Sequence, residues 1–269
     1  MRMHDAIPHG LLPTGRFVLF LLVLLPVPCA SAGGAEAKRD AKEAAKMVEA
    51  IANRNKAPKI VKRRTFLPRE VPLYPKDYDW KEEERVHEAI AKLEENMSVE
   101  LWDALVQKTN DRRYCTASYS GSSADVYIDS VGTICQELAY DRLCYVFEKH
   151  LPSLPPHGRP FYLENVWEDL IAWRRERKNK SLYQLQVEVC EIALRELPKV
   201  NVERVSDEEK AEARKKIEAE IAKLRRTNRP VLRNPGRWYM PRYPRREAER
   251  VREAYEKGTL EEFRSGLNK

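Results

Sequence analysis

The sequence predicts a mostly α fold: one compact helical domain with a short Ser-rich loop or hairpin and basic, proline-containing extensions. Three observations predict it. Charged residues make up 34% of the chain, whereas glycine occurs only 10 times in 269 residues, a balance that favours helices over a sheet-rich fold. Apolar residues recur at three- and four-residue spacing in several segments, with capping residues ahead of them. Alternating apolar and polar runs long enough for a sheet do not occur.

Residues 1–32 read as a signal peptide. Arg2 and Arg16 precede an apolar run from Phe17 to Val27, and Ala30-Ser31-Ala32 supplies small residues for a peptidase. A retained anchor would need about 20 apolar residues. Lipidation at Cys29 would need small residues before it, where Pro26, Val27 and Pro28 stand. The expectation is a secreted or periplasmic chain with no transmembrane span after cleavage.

Residues 33–78 read as a basic N-terminal extension. Ala35 to Asn53 is rich in Ala, Lys and Glu and predicts a helix with little to bury it. The following stretch carries Pro58, Pro68, Pro72 and Pro75 and predicts an extended linker, laid over the domain or disordered.

Residues 79–200 read as the helical core domain. Val86, Ile90 and Leu93 define a first helix over Glu82 to Leu93. Ser98 caps a second, with Leu101, Trp102 and Leu105 on one face. The stretch DRRYCTASYSGSSADVYIDSVGTIC then links to a third, with a short hairpin around Tyr119 and Val126-Tyr127-Ile128. Asp129 or Ser130 caps that third helix, which carries Val131, Ile134, Leu138, Leu143, Val146 and Phe147. A proline-rich break precedes a fourth helix from Glu164, with Val166, Trp167, Leu170, Ile171 and Trp173. Ser181 and Gln184 form a capping box for a fifth, whose stripe is Leu182, Leu185, Val189, Ile192 and Leu197.

Residues 201–269 read as a charged helix and a basic, aromatic tail. Ser206 and Glu209 form a second capping box, opening a helix to about Arg226. From Lys223 to Arg252 there are eleven basic residues, opposed only by Glu247 and Glu249. Pro244 opens a last helix.

The chemistry is sparse. The chain after the signal keeps Cys115, Cys135, Cys144 and Cys190, an even count that fits two disulfides in an exported protein. Cys135 and Cys144 lie nine residues apart on one predicted helix, about 13.5 Å, too far to bond to each other. Cys115 then pairs with Cys135 or Cys144, and Cys190 with the other. The alternative is four small buried apolar side chains. His87-Glu88 begins a zinc-protease pattern, but position 91 is Ala, so the second ligand is missing. Ser118, Ser120, Ser122 and Ser123 surround Gly121 without a second glycine, which reads as turn chemistry more than as an esterase elbow. No phosphate-binding glycine loop occurs. No catalytic residue, metal or cofactor is assigned.

The tail is the strongest functional candidate. Arg233, Arg237 and Arg242 supply phosphate or carboxylate contacts, and Trp238, Tyr239 and Tyr243 supply stacking surfaces. For an exported chain the fitting polyanion is a wall polymer, acidic glycan or lipid surface, not nucleic acid. The competing reading has Trp238, Met240 and Tyr243 packing the tail onto the helices, with arginines pairing to acidic faces.

The stretch Ser98 to Tyr114, SVELWDALVQKTNDRRY, resembles the second half of a HEAT-like helical repeat. DRRY followed by SVGTIC resembles uncharacterised secreted bacterial proteins. The resemblance spans about 50 residues, and no second copy at a fixed period is found. It implies stacked helix pairs and a binding or scaffold surface. The expected function is an exported helical protein that binds a protein partner or an anionic surface. A hydrolase with a site near residues 116–130 and His150 or His157 is the alternative. A component of a larger assembly is a third.

Overall fold

The computed structural model describes residues 33–62, 70–95, 98–119, 126–151, 169–199, 206–233 and 242–263. The protein is mostly helical, with two small antiparallel hairpins among the described residues. In chain order the elements are α1 (Gly33–Glu49), β1 (Lys59–Lys62), β2 (Glu70–Leu73), α2 (Trp80–Glu95), α3 (Val99–Gln107), β3 (Tyr114–Tyr119), β4 (Val126–Ser130), α4 (Val131–Glu148), α5 (Leu170–Glu176), α6 (Leu182–Glu196), α7 (Asp207–Thr227) and α8 (Arg245–Glu256). Among the described residues no helix is long and apolar enough to cross a membrane. Residues 1–32, expected to be a signal peptide, lie outside the described ones.

Local chemistry sets the helix starts. The Ser98 hydroxyl accepts from Leu101 N at 3.2 Å and the Ser130 hydroxyl from Thr133 N at 3.0 Å, each satisfying an amide the helix cannot. The Ser206–Glu209 box forms in both directions, and Ser181 N donates to Gln184 Oε1 at 2.8 Å. Pro244 precedes α8 as expected. The fourth predicted helix is seen as α5, capped by Asp169; Glu164 to Trp167 lie outside the described residues.

α4 is the centre of the molecule. Its buried residues lie all round its axis: Val131, Ile134, Cys135, Leu138, Leu143, Val146 and Phe147 among them. A helix apolar on every side must be enclosed. α3 and α6 flank it, α1 packs outside α3, and α7 contacts both α4 and α6. The Trp102 indole donates to Ala139 O at 2.9 Å, so the large ring of α3 is buried with its N–H satisfied. Gly132 fits where no other residue can: a Cβ there would lie 2.5 Å from Thr109 O, while its N–H donates to Asp111 O at 2.7 Å.

The core reaches beyond residues 79–200 at both ends. Ala44, Val48 and Ile51 of the expected extension are buried against it, as are Ala213, Ile217, Ile221 and Leu224 of α7. α1 therefore has much to bury, contrary to its reading as a lone helix. The proline-containing linker is also more ordered than expected: β1 pairs antiparallel with β2, Ile60 opposite Pro72. A two-stranded sheet tolerates Pro72 because both strands are edges.

Cys115, Cys135, Cys144 and Cys190 are free and fully buried. The expected cross-links are not formed. Each thiol sits in the main apolar cluster and packs as a small hydrophobe. Burial pushes Cys135 and Cys190 up to about 12 and raises Cys115 and Cys144 as well.

Candidate functional cleft

α2 turns one face to the core through Val86, Ile90 and Leu93, yet Glu82, Glu83 and Glu94 are buried too. Glu82 and Glu83 lie in its first turn, where the helix dipole favours carboxylates. Glu82 accepts from Arg54 N at 3.0 Å and from Arg85 Nε at 2.8 Å. Arg85 continues to Ala50 O and Ala52 O, satisfying carbonyls at the end of α1. This ties the segment after α1 to the start of α2 and brings Asn53 beneath it.

Glu83 is the hub of a buried polar network. Its Oε2 accepts from Asn53 Nδ2 at 2.6 Å and from the Tyr78 hydroxyl at 2.5 Å. Its Oε1 accepts from the Thr116 hydroxyl at 2.7 Å and lies 3.2 Å from His87 Nε2. Because Tyr78 gives its proton to Glu83, Tyr114 donates to Tyr78 across 2.9 Å. Burial pushes the Glu83 pKa up, but the hydrogen bonds from His87, Tyr78 and Thr116 outweigh it and hold the carboxyl below its ordinary range. Burial next to the same carboxylate raises both tyrosines.

Thr116 reaches this network through a β-bulge. β3 and β4 pair with a register shift between Tyr114 and Thr116, so Cys115 is the extra residue. A bulge re-aims the following side chain. Here Thr116 Oγ1 comes within 3.1 Å of His87 Nε2. With the threonine proton on Glu83, this contact puts the imidazole proton on Nε2, pointing at both oxygens. His87 is thus a donor to Thr116, the reverse of a base activating a nucleophile.

Above the network opens a cleft of about 640 Å³ between α2 and the segment Arg242–Arg245. One wall is a stripe of α2: Trp80, Glu84, His87, Ala91 and Glu94, spaced by helical turns. The other is Arg242, Tyr243, Pro244 and Arg245. Tyr243 N donates to Ala117 O at 3.0 Å and Arg242 bridges Ser118, so this wall is fastened to β3. Tyr243 is buried beside Tyr74 and Tyr119, at ring distances of 6.2 and 6.4 Å. The Arg245 guanidinium lies 5.8 Å from the Trp80 ring and closes one end.

Of the residues expected to bind a polyanion, Arg233, Arg242 and Tyr243 are described. Arg233 donates to Asp141 at 2.6 Å and stacks on Tyr145, clamping the chain to α4. Gln186 holds the same strap, accepting from Val231 N and donating to Val231 O. Arg242 lines the cleft, and Tyr243 is buried beneath it. Arg237, Trp238 and Tyr239 lie outside the described residues. Among the serines, Ser118 is buried and donates to Asp129 at 2.7 Å; Ser120, Ser122 and Ser123 are not described. His150 contacts Glu220 of α7 beyond the far end of α4, about 27 Å of helix from the hairpin. His157 lies outside the described residues. Among the described residues no three His, Cys, Asp or Glu side chains are placed to hold a metal ion.

The Glu83–His87 pair was readable from its four-residue spacing on a predicted helix. Thr116 was not, because only the bulge brings it there. The chain matches no family model, and no curated protein or solved structure is similar to it.

Proposed function

We propose that this is an exported helical binding protein whose ligand seats between α2 and Arg242–Arg245. The ligand is a small, mainly apolar molecule with a hydrogen-bonding head. One observation carries the reading: a cleft of about 640 Å³ whose largely buried polar group, His87, is held by a hydrogen-bonded network. Ligand sites are concave, largely apolar and fitted with a few oriented polar groups. Trp80 and Ala91 offer the apolar surface, and Glu84, Glu94 and the two arginines orient the head. Export is supported by the Phe17–Val27 run with small residues to Ala32.

The geometry favours binding over hydrolysis. The oxygen nearest the imidazole belongs to Thr116, which is fully buried and gives its proton to a carboxylate. A nucleophile must be reachable and must lose its proton to the base.

Binding of a solvatochromic aromatic dye, followed by its emission and by Trp quenching, tests the site. Ala91 is an exposed residue of the cleft wall. Ala91→Trp fills the space without touching the core. The expected result is loss of dye binding at unchanged melting temperature. Undiminished binding to that variant would place the ligand elsewhere.

A further inference from the structure

α8 borders a second concavity at its other end. This cleft, about 550 Å³, opens between α8 and the hairpin of β1 and β2. Its charged lining is Lys56, Lys59, Lys76 and Arg252 against Asp77 and Glu256. The four cations arrive from three separate stretches of chain, so the fold assembles them. Lys76 is paired with Glu256 at 3.0 Å, and Arg252 donates to Tyr74 O. Lys56 and Lys59 are exposed and form no ion pair with any described residue.

The contrast with the basic tail is informative. Arg225, Arg233, Arg245 and Arg250 are each paired, with Glu191, Asp141, Glu249 and Glu247. With Lys223 on Glu220, half of the ten described basic residues from Lys223 to Arg252 are thus met locally. Lys56 and Lys59 add unpaired charge to the second cleft, where the fold gathers it in one concavity. Like charges crowded into a concavity repel one another and focus a positive potential at its mouth.

The cleft also holds Tyr255, 52% exposed and one of three exposed large apolar side chains among the described residues. An exposed ring beside two unpaired lysines suits a ligand that joins a stackable face to anionic groups. The C–H face of a pyranose packs on such a ring, and its carboxylate or sulfate accepts from ammonium groups. Single-stranded nucleic acid uses several successive aromatic platforms along a continuous basic groove. This cleft has one exposed platform, with Asp77 and Glu256 in its wall. We infer that the cleft formed by Lys56, Lys59, Lys76, Arg252 and Tyr255 binds a short segment of an acidic saccharide. The site is separate from the cleft under His87 and does not depend on that reading.

The test is calorimetric titration of the full chain with a heparin hexasaccharide at about 50 and about 200 mM salt, a range over which charge-driven binding weakens steeply. Saturable, salt-sensitive binding is expected. Lys56→Gln with Lys59→Gln should weaken it about tenfold and flatten its salt dependence. Neither lysine supports the fold, so an unchanged melting curve is expected for that variant. Tyr255→Ala should weaken binding less and leave the salt dependence as it is. Four results would overturn the inference. These are no binding by the natural protein, full affinity in the double lysine variant, a greater loss from Arg237→Ala with Arg242→Ala, or tighter binding of a single-stranded oligonucleotide.

Discussion

In the array of α1, α3, α4, α6 and α7, Trp102, Leu105, Leu143, Phe147 and Leu185 are fully buried. Their one side-chain polar atom, the indole nitrogen, has its partner in Ala139 O. On the face built by the hairpins and α8, the buried groups are instead Tyr74, Tyr78, Tyr243, Thr116 and Glu83. The first region is held chiefly by contact area, which is non-directional, with Asp141, Arg142 and Gln186 as its buried polar groups. The second is held by hydrogen bonds, each requiring one atom at one place. A purely apolar wall can slump inward to close a void. A wall pinned by Glu83 and by the Tyr243–Ala117 bond keeps its position, and both clefts lie on that side of the molecule.

The largest expected effect breaks the apolar side. Phe147→Ala should cost about 3–5 kcal/mol, through lost burial and the cavity left behind. Urea unfolding measures it. The cost should appear as a lowered midpoint for the whole domain, because α4 touches most of the array.

Next comes the polar side. Glu83→Ala leaves Asn53, Tyr78, Thr116 and His87 without their shared acceptor, and should cost about 2–4 kcal/mol. If the two regions differ as described, its signature is also local: dye binding at His87 should vanish even at temperatures where circular dichroism shows full helix. Glu83→Gln keeps the shape and should recover part of both.

The smallest effect sharpens the boundary between the regions, where Arg113 binds both Glu49 at the end of α1 and Asp111 after α3. Hydrogen bonds from Arg113 and Lys108 lower Glu49 to about 2, and one from Arg113 lowers Asp111 to about 2. A carboxyl depressed in the folded state stabilises fully above its unfolded value, and that gain is lost as pH falls toward the folded one. The natural protein should therefore lose more stability than Arg113→Gln between about pH 5 and about pH 2. These side chains are partly exposed, so the difference should stay below about 1 kcal/mol.

Caps were the most legible part of the sequence. Ser98, Ser130, Ser181 and Ser206 each act within three residues of sequence, so nothing distant is needed to recognise them. The burial of α1 was not legible, because its partners lie on α3, some fifty residues further along. The hairpin of β1 and β2 was hidden by its prolines, which argue against a central strand but not against an edge. The cleft combines both cases: its α2 stripe follows from helical spacing, whereas Arg242 and Tyr243 reach it only through their pairing with β3.

The four buried thiols have a consequence in time. A thiol reacts as its thiolate, and here burial suppresses both ionisation and access. While the chain stays folded, an oxidising medium has little to act on. Each opening of the helical array exposes a cysteine briefly, and a disulfide or sulfenic acid formed then would not fit back into the close-packed space. Accumulated oxidation in a sample therefore records how often the core has opened, so that thiol content dates the protein as a clock would.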